Sequence, residues 1–368
     1  MYDVAVIGAG INGCSVAYYL AQSGKKVALF DKEGIAHGGS GAAGAFISPK
    51  FSKAGELKEL IEKSYLFSLD FYAKNFGQFL QQAPLLHIAK DEIDAKKLQA
   101  FKENTGLKIA QTPLHAKCPL GISNILTCKA QESENVYLLN GGVVDAVGVC
   151  HAMAQGIDFF QEEIDSLLWE NDRYKVGSIN AKHVVLACGA YEPILKEPYI
   201  KLRGIWGHRI DIYTSTRTEA TMHHYVSLSK CSDGKMAVGA THNVHYHPQK
   251  NSEPYDVSLG REELLQKANM TIELKNVKIL KDYTGLRSGS NDYLPIIGKM
   301  INASNPSSQP HFHPNLTMIN GSGGYGFVLA PYIAKQLCDF IVEGREIESF
   351  LTPLRFYKRY LKGLTKPQ

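Results

Sequence analysis

Tyr2-Asp-Val-Ala-Val-Ile-Gly8-Ala-Gly10-Ile11-Asn12-Gly13-Cys-Ser-Val-Ala-Tyr-Tyr-Leu-Ala21 opens the chain and decides its fold. Val4 to Ile7 is a continuous, β-branched run, the signature of a strand buried on both faces. Three glycines follow in G-x-G-x-x-G spacing, and the small, apolar stretch behind them predicts a helix. The first glycine permits the tight turn, the second lets a pyrophosphate approach the backbone, and the third lets helix pack on strand. The helix N-terminus then offers free N–H groups and the positive end of its dipole. Gly24 ends the helix, Lys26 to Phe30 form a second strand, and Asp31 stands at its tip, 18 residues after Gly13. Glycine spacing alone fits a turn in any α/β domain; with both strands and the acid it marks a dinucleotide site. A carboxylate rather than an arginine at 31 suits ribose hydroxyls and argues against NADP.

The chain has 33 glycines, and others beyond the opening motif also cluster. His37-Gly-Gly-Ser40-Gly41-Ala42-Ala-Gly44-Ala45 directly follows the second strand and can present little but backbone. FAD is longer than NAD and needs more cradle, so this loop points to FAD; a flexible surface loop is the alternative. Near the C-terminus, Asn315-Leu-Thr-Met-Ile-Asn-Gly321-Ser-Gly323-Gly324-Tyr325-Gly326 leads into an amphipathic stretch through about Val342. That strand, turn and helix either close the same cofactor site or make an unrelated βα turn. Between them, Ala181-Lys-His-Val-Val-Leu-Ala-Cys-Gly189 predicts another strand of the same sheet. The candidate cofactor contacts are therefore Gly8, Gly10, Ile11, Asn12, Gly13, Asp31, Lys32, Ser40, Gly41, Ala42, Gly44, Gly189, Arg287, Gly321, Gly323, Gly324, Tyr325 and Gly326.

Helical periodicity runs over 55–83, near Ile93–Phe101, over 145–156 and over 260–274, while 205–250 alternates at period two as in an antiparallel sheet. Because the cofactor motifs lie in three separated segments, the predicted class is α/β (α+β). A discontinuous, Rossmann-like FAD-binding domain (1–83, 131–204 and 282–368) is interleaved with an antiparallel-sheet substrate domain (84–130 and 205–281). The chain has 368 residues, 44% hydrophobic and 21% charged, with a formal net charge of +4. That total names no partner. Apolar runs fall short of the roughly 18–20 residues of a membrane span, so no membrane partner is expected. The first strand begins at Tyr2, leaving no room for a signal peptide, and cytoplasmic is the expected location. Seven scattered cysteines form no CxxC pair, so neither a disulfide framework nor a cysteine zinc site is expected. His242, His245 and His247 have no carboxylate spaced among them, and alternation on a strand would split them between faces; no metal is expected.

Together these motifs resemble the D-amino-acid oxidase family of FAD-dependent oxidoreductases over essentially the whole chain. The most specific segment is Gly285-Leu-Arg287-Ser-Gly-Ser-Asn-Asp292-Tyr-Leu-Pro295-Ile-Ile-Gly298. The resemblance implies that Arg287 grips the substrate carboxylate and that Pro295–Gly298 runs beside a flavin. Gly44-Ala-Phe-Ile-Ser-Pro49-Lys-Phe-Ser52-Lys53, Leu202-Arg203-Gly-Ile-Trp-Gly207, Gly239-Ala-Thr241 and Asp292-Tyr-Leu-Pro295 are similar to the oxidoreductase half of the bifunctional tRNA 5-methylaminomethyl-2-thiouridine biosynthesis proteins. That likeness implies oxidation of the carboxymethylamino group on wobble uridine, with release of glyoxylate. The chain departs from it in carrying no methyltransferase half, which would then be a separate partner, in Asn291 where a basic residue is usual, and in Ala42-Ala43. No cysteine lies near Arg287, so the implied FAD is non-covalent.

The implied chemistry is flavin oxidation of an amine at the carbon beside nitrogen, giving an imine that water hydrolyses. Arg287 suits a carboxylate anchor because a guanidinium fork pairs bidentately; a structural ion pair is the alternative. Tyr213, Tyr225 and Tyr246 are candidates to line the pocket, Tyr213 and Tyr246 foremost. A free amino acid such as glycine, sarcosine or a D-amino acid would present the same carboxylate as the tRNA-borne arm. After Glu348 the chain carries Arg355, Lys358, Arg359, Lys362 and Lys366 with no acid, which reads either as a tRNA-contacting tail or as a solvated terminal helix.

Overall fold

In this computed structural model residues 1–49, 51, 55–110, 124–191 and 194–364 are described. The chain divides into two compact units, one of Met1–Gly41, Ala146–Ile205 and Leu286–Gln368, the other of Ala42–Asp145 and Trp206–Gly285. Among the described residues no helix is long and apolar enough to cross a membrane.

The first unit is built on β1 (Tyr2–Ile7) and β2 (Val27–Phe30), joined by helix α1 (Ile11–Gln22). The two strands are parallel in the register Val4–Val27 to Ile7–Phe30, and β2 pairs with Asp158–Phe160. On its other side β1 runs parallel to Ile179–Leu186, which is in turn parallel to His311–Asn320. Val4 to Ile7 and Val27 to Phe30 are all buried, as continuous apolar runs in the middle of a covered parallel sheet should be. Helix α1 packs against helix Gly326–Glu343 and against Ala146–Ala154. Gly344, in the left-handed region at φ 72°, closes the former helix, which is the cap a glycine forms most cheaply.

The second unit carries a sheet ordered Lys278–Ser290, Leu202–Tyr213, Lys235–Gly239, Ser227–Leu228, Thr221–His223, Leu85–Ile88, Asn135–Leu138 and Ile109–Ala110. Strands Leu202–Tyr213 and Lys278–Ser290 also carry the chain between its two units. The expected antiparallel sheet needs one correction: Thr221–His223 runs parallel to Leu85–Ile88, so the sheet is mixed. Alternation still holds where one face is buried, with Met236 and Val238 inside and Lys235 exposed. Residues 242–247 are not strand; beyond an isolated bridge at Asn243 the chain turns. Asn243 Oδ1 accepts the N–H groups of His245 and Tyr246 there, an Asx-type closure that competes with a sheet ladder.

The unit boundaries differ from those read in the sequence. Residues 42–83 and 131–145 cluster with the second unit, because Phe46–Ile47 and Leu80–Gln82 both pair with Gly142–Val144 in a small three-stranded sheet. The helix expected over 55–83 spans Glu56–Asn75 and stops where Phe76 leaves the helical region.

Candidate functional site

Three parallel strands of the first unit end side by side, since Ile7 lies opposite Leu186 and Leu186 opposite Met318. Turns at Gly8–Gly10, Ala187–Gly189 and Gly321–Gly324 leave those ends, where ligands bind in open α/β sheets. Gly8 and Gly13 leave no room for a side chain. A Cβ on Gly13 would stand 1.7 Å from the Gly8 carbonyl oxygen, and one on Gly8, at φ 105°, would stand 2.4 Å from the Ala187 oxygen.

Side chains stitch the turns together. Asn320 Nδ2 donates to the Gly189 carbonyl at 2.9 Å, and Asn320 Oδ1 accepts the Gly321 N–H at 2.8 Å. Ser322 Oγ donates to Asn12 Oδ1 at 3.1 Å, tying the C-terminal turn to the first helix. Gly326 approaches Ile11 so closely that a Cβ would stand 3.2 Å from its Cγ2. The C-terminal glycine turn therefore lies directly beside the opening motif and the Gly189 turn.

The second glycine loop is held just as directly. Ser40 Oγ accepts the Ile11 N–H at 2.9 Å. Gly39 lies against strand Lys278–Ser290, where a Cβ would stand 2.4 Å from the Leu286 oxygen, and Gly41 lies against the Ala36 oxygen. Arg287 follows Leu286 on that strand, and Gly289 forms a bridge with Ser322. Gly39 to Gly41 of the loop, the strand bearing Arg287 and the C-terminal turn thus meet within the first unit. Burial lowers the Arg287 pKa, because desolvation disfavours the charged form. Ser288 Oγ, next in the chain, is buried with no hydrogen-bond partner among the described residues.

Other candidates have different surroundings. The Asp31 carboxylate accepts N–H groups of Ala9 at 2.8 Å, Glu33 at 3.0 Å and Gly34 at 3.3 Å, so it first of all holds the opening turn to the tip of β2. Lys32 pairs with Glu163 at 3.2 Å and lies over the Tyr191 ring. Burial pushes the Tyr325 hydroxyl up to about 12, so it stays protonated and can only donate or accept as a phenol. Ala42 and Gly44 lie in the second unit, where the Phe46 ring crowds Gly44. Tyr213, also there, is 43% exposed at a strand end. Tyr225 is bound to Lys129 and to the Lys90 carbonyl. Tyr246 packs edge-on against Trp206 at 4.9 Å and beside Tyr255 at 5.5 Å.

Sequence reading missed several groups. Buried His208 shares Asp282 with Arg261, at 3.0 and 2.8 Å, and approaches the Tyr255 hydroxyl. Asn320 was missed too, since its contact with Gly189 spans 131 residues, and Arg355 was read only as a cation of the C-terminal tail. Arg355 is not a free tail cation. It grips Asp292 at 2.9 Å and the carbonyls of Leu294 and Pro295 at 2.9 and 3.0 Å. Lys366 lies outside the described residues, as do 50 and 52–54 of the segment beginning at Gly44. No cluster of potential metal ligands occurs among the described residues.

A cofactor fits this cradle. Gly189, Gly323 and Gly324 have nothing within 4 Å of where a Cβ would stand, so the turns present bare backbone to open space. Parallel strands, a glycine-rich turn into a helix and a second glycine loop define a dinucleotide-binding flavoprotein. The FAD dependent oxidoreductase family model matches residues 3–340, and the chain belongs to that family. FAD is its cofactor, and it is an FAD-dependent oxidoreductase. It is 24% identical to glycine oxidase of Bacillus subtilis (strain 168), over 97% of this chain and 98% of that protein. It is also 24% identical to the tRNA 5-methylaminomethyl-2-thiouridine biosynthesis bifunctional protein of Marinobacter nauticus, over 92% of this chain but 55% of that protein. The chain thus spans about half the length of that bifunctional relative. Among solved structures, L-proline dehydrogenase from P. horikoshii superposes with a TM-score of 0.77 at 20% identity, covering 97% of this chain and 98% of that one. Glycine oxidase from Bacillus cereus gives 0.75 at 21% identity, covering 94% and 96%. At those identities the structures speak for the fold.

Proposed function

We propose that this oxidoreductase oxidises the C–N bond of a glycine-like group, and that the group is the carboxymethyl arm of 5-carboxymethylaminomethyl-uridine in tRNA. The observation that carries the amine reading is Arg287, a half-buried guanidinium on the strand that packs against the second glycine loop. Bound FAD would supply the two-electron oxidation of the carbon beside nitrogen. The chain's own groups do the rest. Arg287 holds the carboxylate through charge-assisted bonds worth roughly 1.5–3 kcal/mol each in a shielded site. Ser288 Oγ is a buried hydroxyl with a hydrogen bond still to give. The backbone N–H groups around Gly10 and Gly324 would face the pyrophosphate. With three N–H groups already on Asp31, about one of its four acceptor directions is left for a ribose hydroxyl. Water then hydrolyses the substrate imine, releasing the amine on the nucleoside and glyoxylate.

The relatives named for tRNA modification support the tRNA-borne arm; glycine oxidase, matched over nearly its whole length, supports free glycine as the second reading. Both present one C–COO⁻ unit to one arginine. Incubation with tRNA bearing the arm, and separately with glycine, sarcosine and D-alanine, decides between them. Loss of the arm on nucleoside analysis is the expected result. An intact arm alongside rapid oxidation of a free amino acid would replace the first reading with the second. Arg287→Ala is expected to keep flavin and lose turnover of either substrate, and normal turnover would remove the anchor.

A further inference from the structure

Tyr293 occupies a backbone position made for glycine. Its φ is 65°, and the other described non-glycine residues with left-handed backbone are alanine, asparagine and aspartate. Glycine would adopt this conformation freely, whereas a bulky side chain there is strained. Such strain persists where the side chain is used. The residue is nevertheless 65% exposed, so core packing does not account for it. Arg203 lies over its ring, with the guanidinium carbon 5.5 Å from the centroid, and is steadied by donation from Nη2 to the Ser290 carbonyl at 3.3 Å. Beside Tyr293, the single charge of Asp292 is met by Arg355 at 2.9 Å and by Arg359, itself 62% exposed, at 3.5 Å. Three guanidinium groups against one carboxylate leave this surface positive around an exposed aromatic ring.

We propose that Tyr293 and Arg203 form a stacking platform for an unpaired RNA base, with Arg359 available to phosphate. This deepens the tRNA reading and rests on it. Aromatic faces backed by arginine bind single-stranded bases with little sequence preference, and sequence-tolerant stacking needs bases free of a duplex. The location suits that use. Arg287 and Ser290 lie on one strand, about 10 Å apart at the usual rise per residue, and Tyr293 follows in the next turn. A base beside the modified nucleotide would thus meet the ring while the arm reaches the arginine.

The test is binding of an anticodon stem-loop RNA, with plain uridine at the wobble position, to the flavin-loaded protein. A blunt RNA duplex of equal length serves as comparison. Tyr293→Gly removes the ring and relieves the backbone, so flavin content and melting temperature should hold. The stem-loop should bind about tenfold or more weakly to that variant, and Tyr293→Phe should bind nearly as the parent does. Arg203→Ala should weaken binding by removing the backing of the ring, and Arg359→Ala should weaken it and lower its salt dependence. Unchanged stem-loop affinity in Tyr293→Gly, or duplex binding as tight as stem-loop binding in the parent, would overturn the platform. Absence of any RNA binding by the parent would overturn both platform and tRNA reading. If the parent leaves the tRNA arm intact yet Tyr293→Gly still loses stem-loop binding, the tRNA substrate fails and the platform stands.

Discussion

Ser40 Oγ accepts the backbone N–H of Ile11 at 2.9 Å, so the second glycine loop caps the helix that the first glycine motif begins. An N–H at a helix start has no partner within its helix, and here a serine 29 residues away supplies one. Ser40→Ala should cost about 1 kcal/mol, the net worth of one hydrogen bond. It should also speed FAD release on dilution, because the loop loses its tie to α1. Thermal melting and fluorescence of released flavin measure the two effects. An unchanged release rate would show that the loop is held by its glycine contacts alone.

Gly13→Ala is expected to be far more severe. Its Cβ would stand 1.7 Å from the Gly8 carbonyl, which is backbone and cannot swing aside. The protein should emerge without flavin or insoluble. A yellow, normally melting Gly13→Ala protein would contradict the geometry of the turn.

Arg355 and Asp292 make a pair whose side chains are 11% and 16% exposed. Asp292 is held below the ordinary carboxylate range: burial acts to raise its pKa, but the bonds from Arg355 and Ser290 outweigh it. Arg355→Ala leaves that charge only the exposed Arg359 at 3.5 Å as a cation and should destabilise by up to about 3 kcal/mol. Asp292→Asn in the same protein should restore part of the loss, and the double-mutant cycle reads their coupling. Equal stability of single and double variants would mean that the carbonyl contacts to Leu294 and Pro295 carry the effect.

Acid should destabilise the fold before carboxylates titrate. Burial holds His223 down to about 3 and His183 and His224 to about 4, with His87 also lowered. These rings are neutral when folded and protonate near 6.5 when unfolded. The stability they contribute is complete above 6.5 and is lost progressively as pH falls toward the folded values. His223 alone should cost about 2 kcal/mol at pH 5, one and a half pH units below the unfolded value. Melting temperature across pH 7.5 to 5 tests this, and His223→Gln should flatten the fall. A flat profile in the parent would show those rings to be hydrated.

Local physics made much of this legible in advance. A buried parallel strand reads as a continuous apolar run, a dinucleotide turn demands glycines at fixed spacing, and an acid at the tip of β2 comes with them. Those requirements lie within about thirty residues, where spacing maps directly onto structure. Arg287 could be singled out only by resemblance, since nothing local distinguishes it from Arg203 or Arg209.

Where partners are distant, spacing carried no information. Arg355 looked like part of a basic tail, yet its partner is 63 residues away, and Asp292 makes it structural. The histidines at 242–247 looked like strand positions until Asn243 closed a turn around them.

The sequence by itself determined a flavin-type dinucleotide fold and its three glycine loops, because backbone conformation at a glycine is a local property. Only the tertiary structure decided that Ser40 caps α1, that Gly39 seats the strand bearing Arg287, and that Asn320 joins two turns. Each of those contacts pairs groups far apart in the chain, and a hydrogen bond is fixed by distance in space, which sequence separation does not encode.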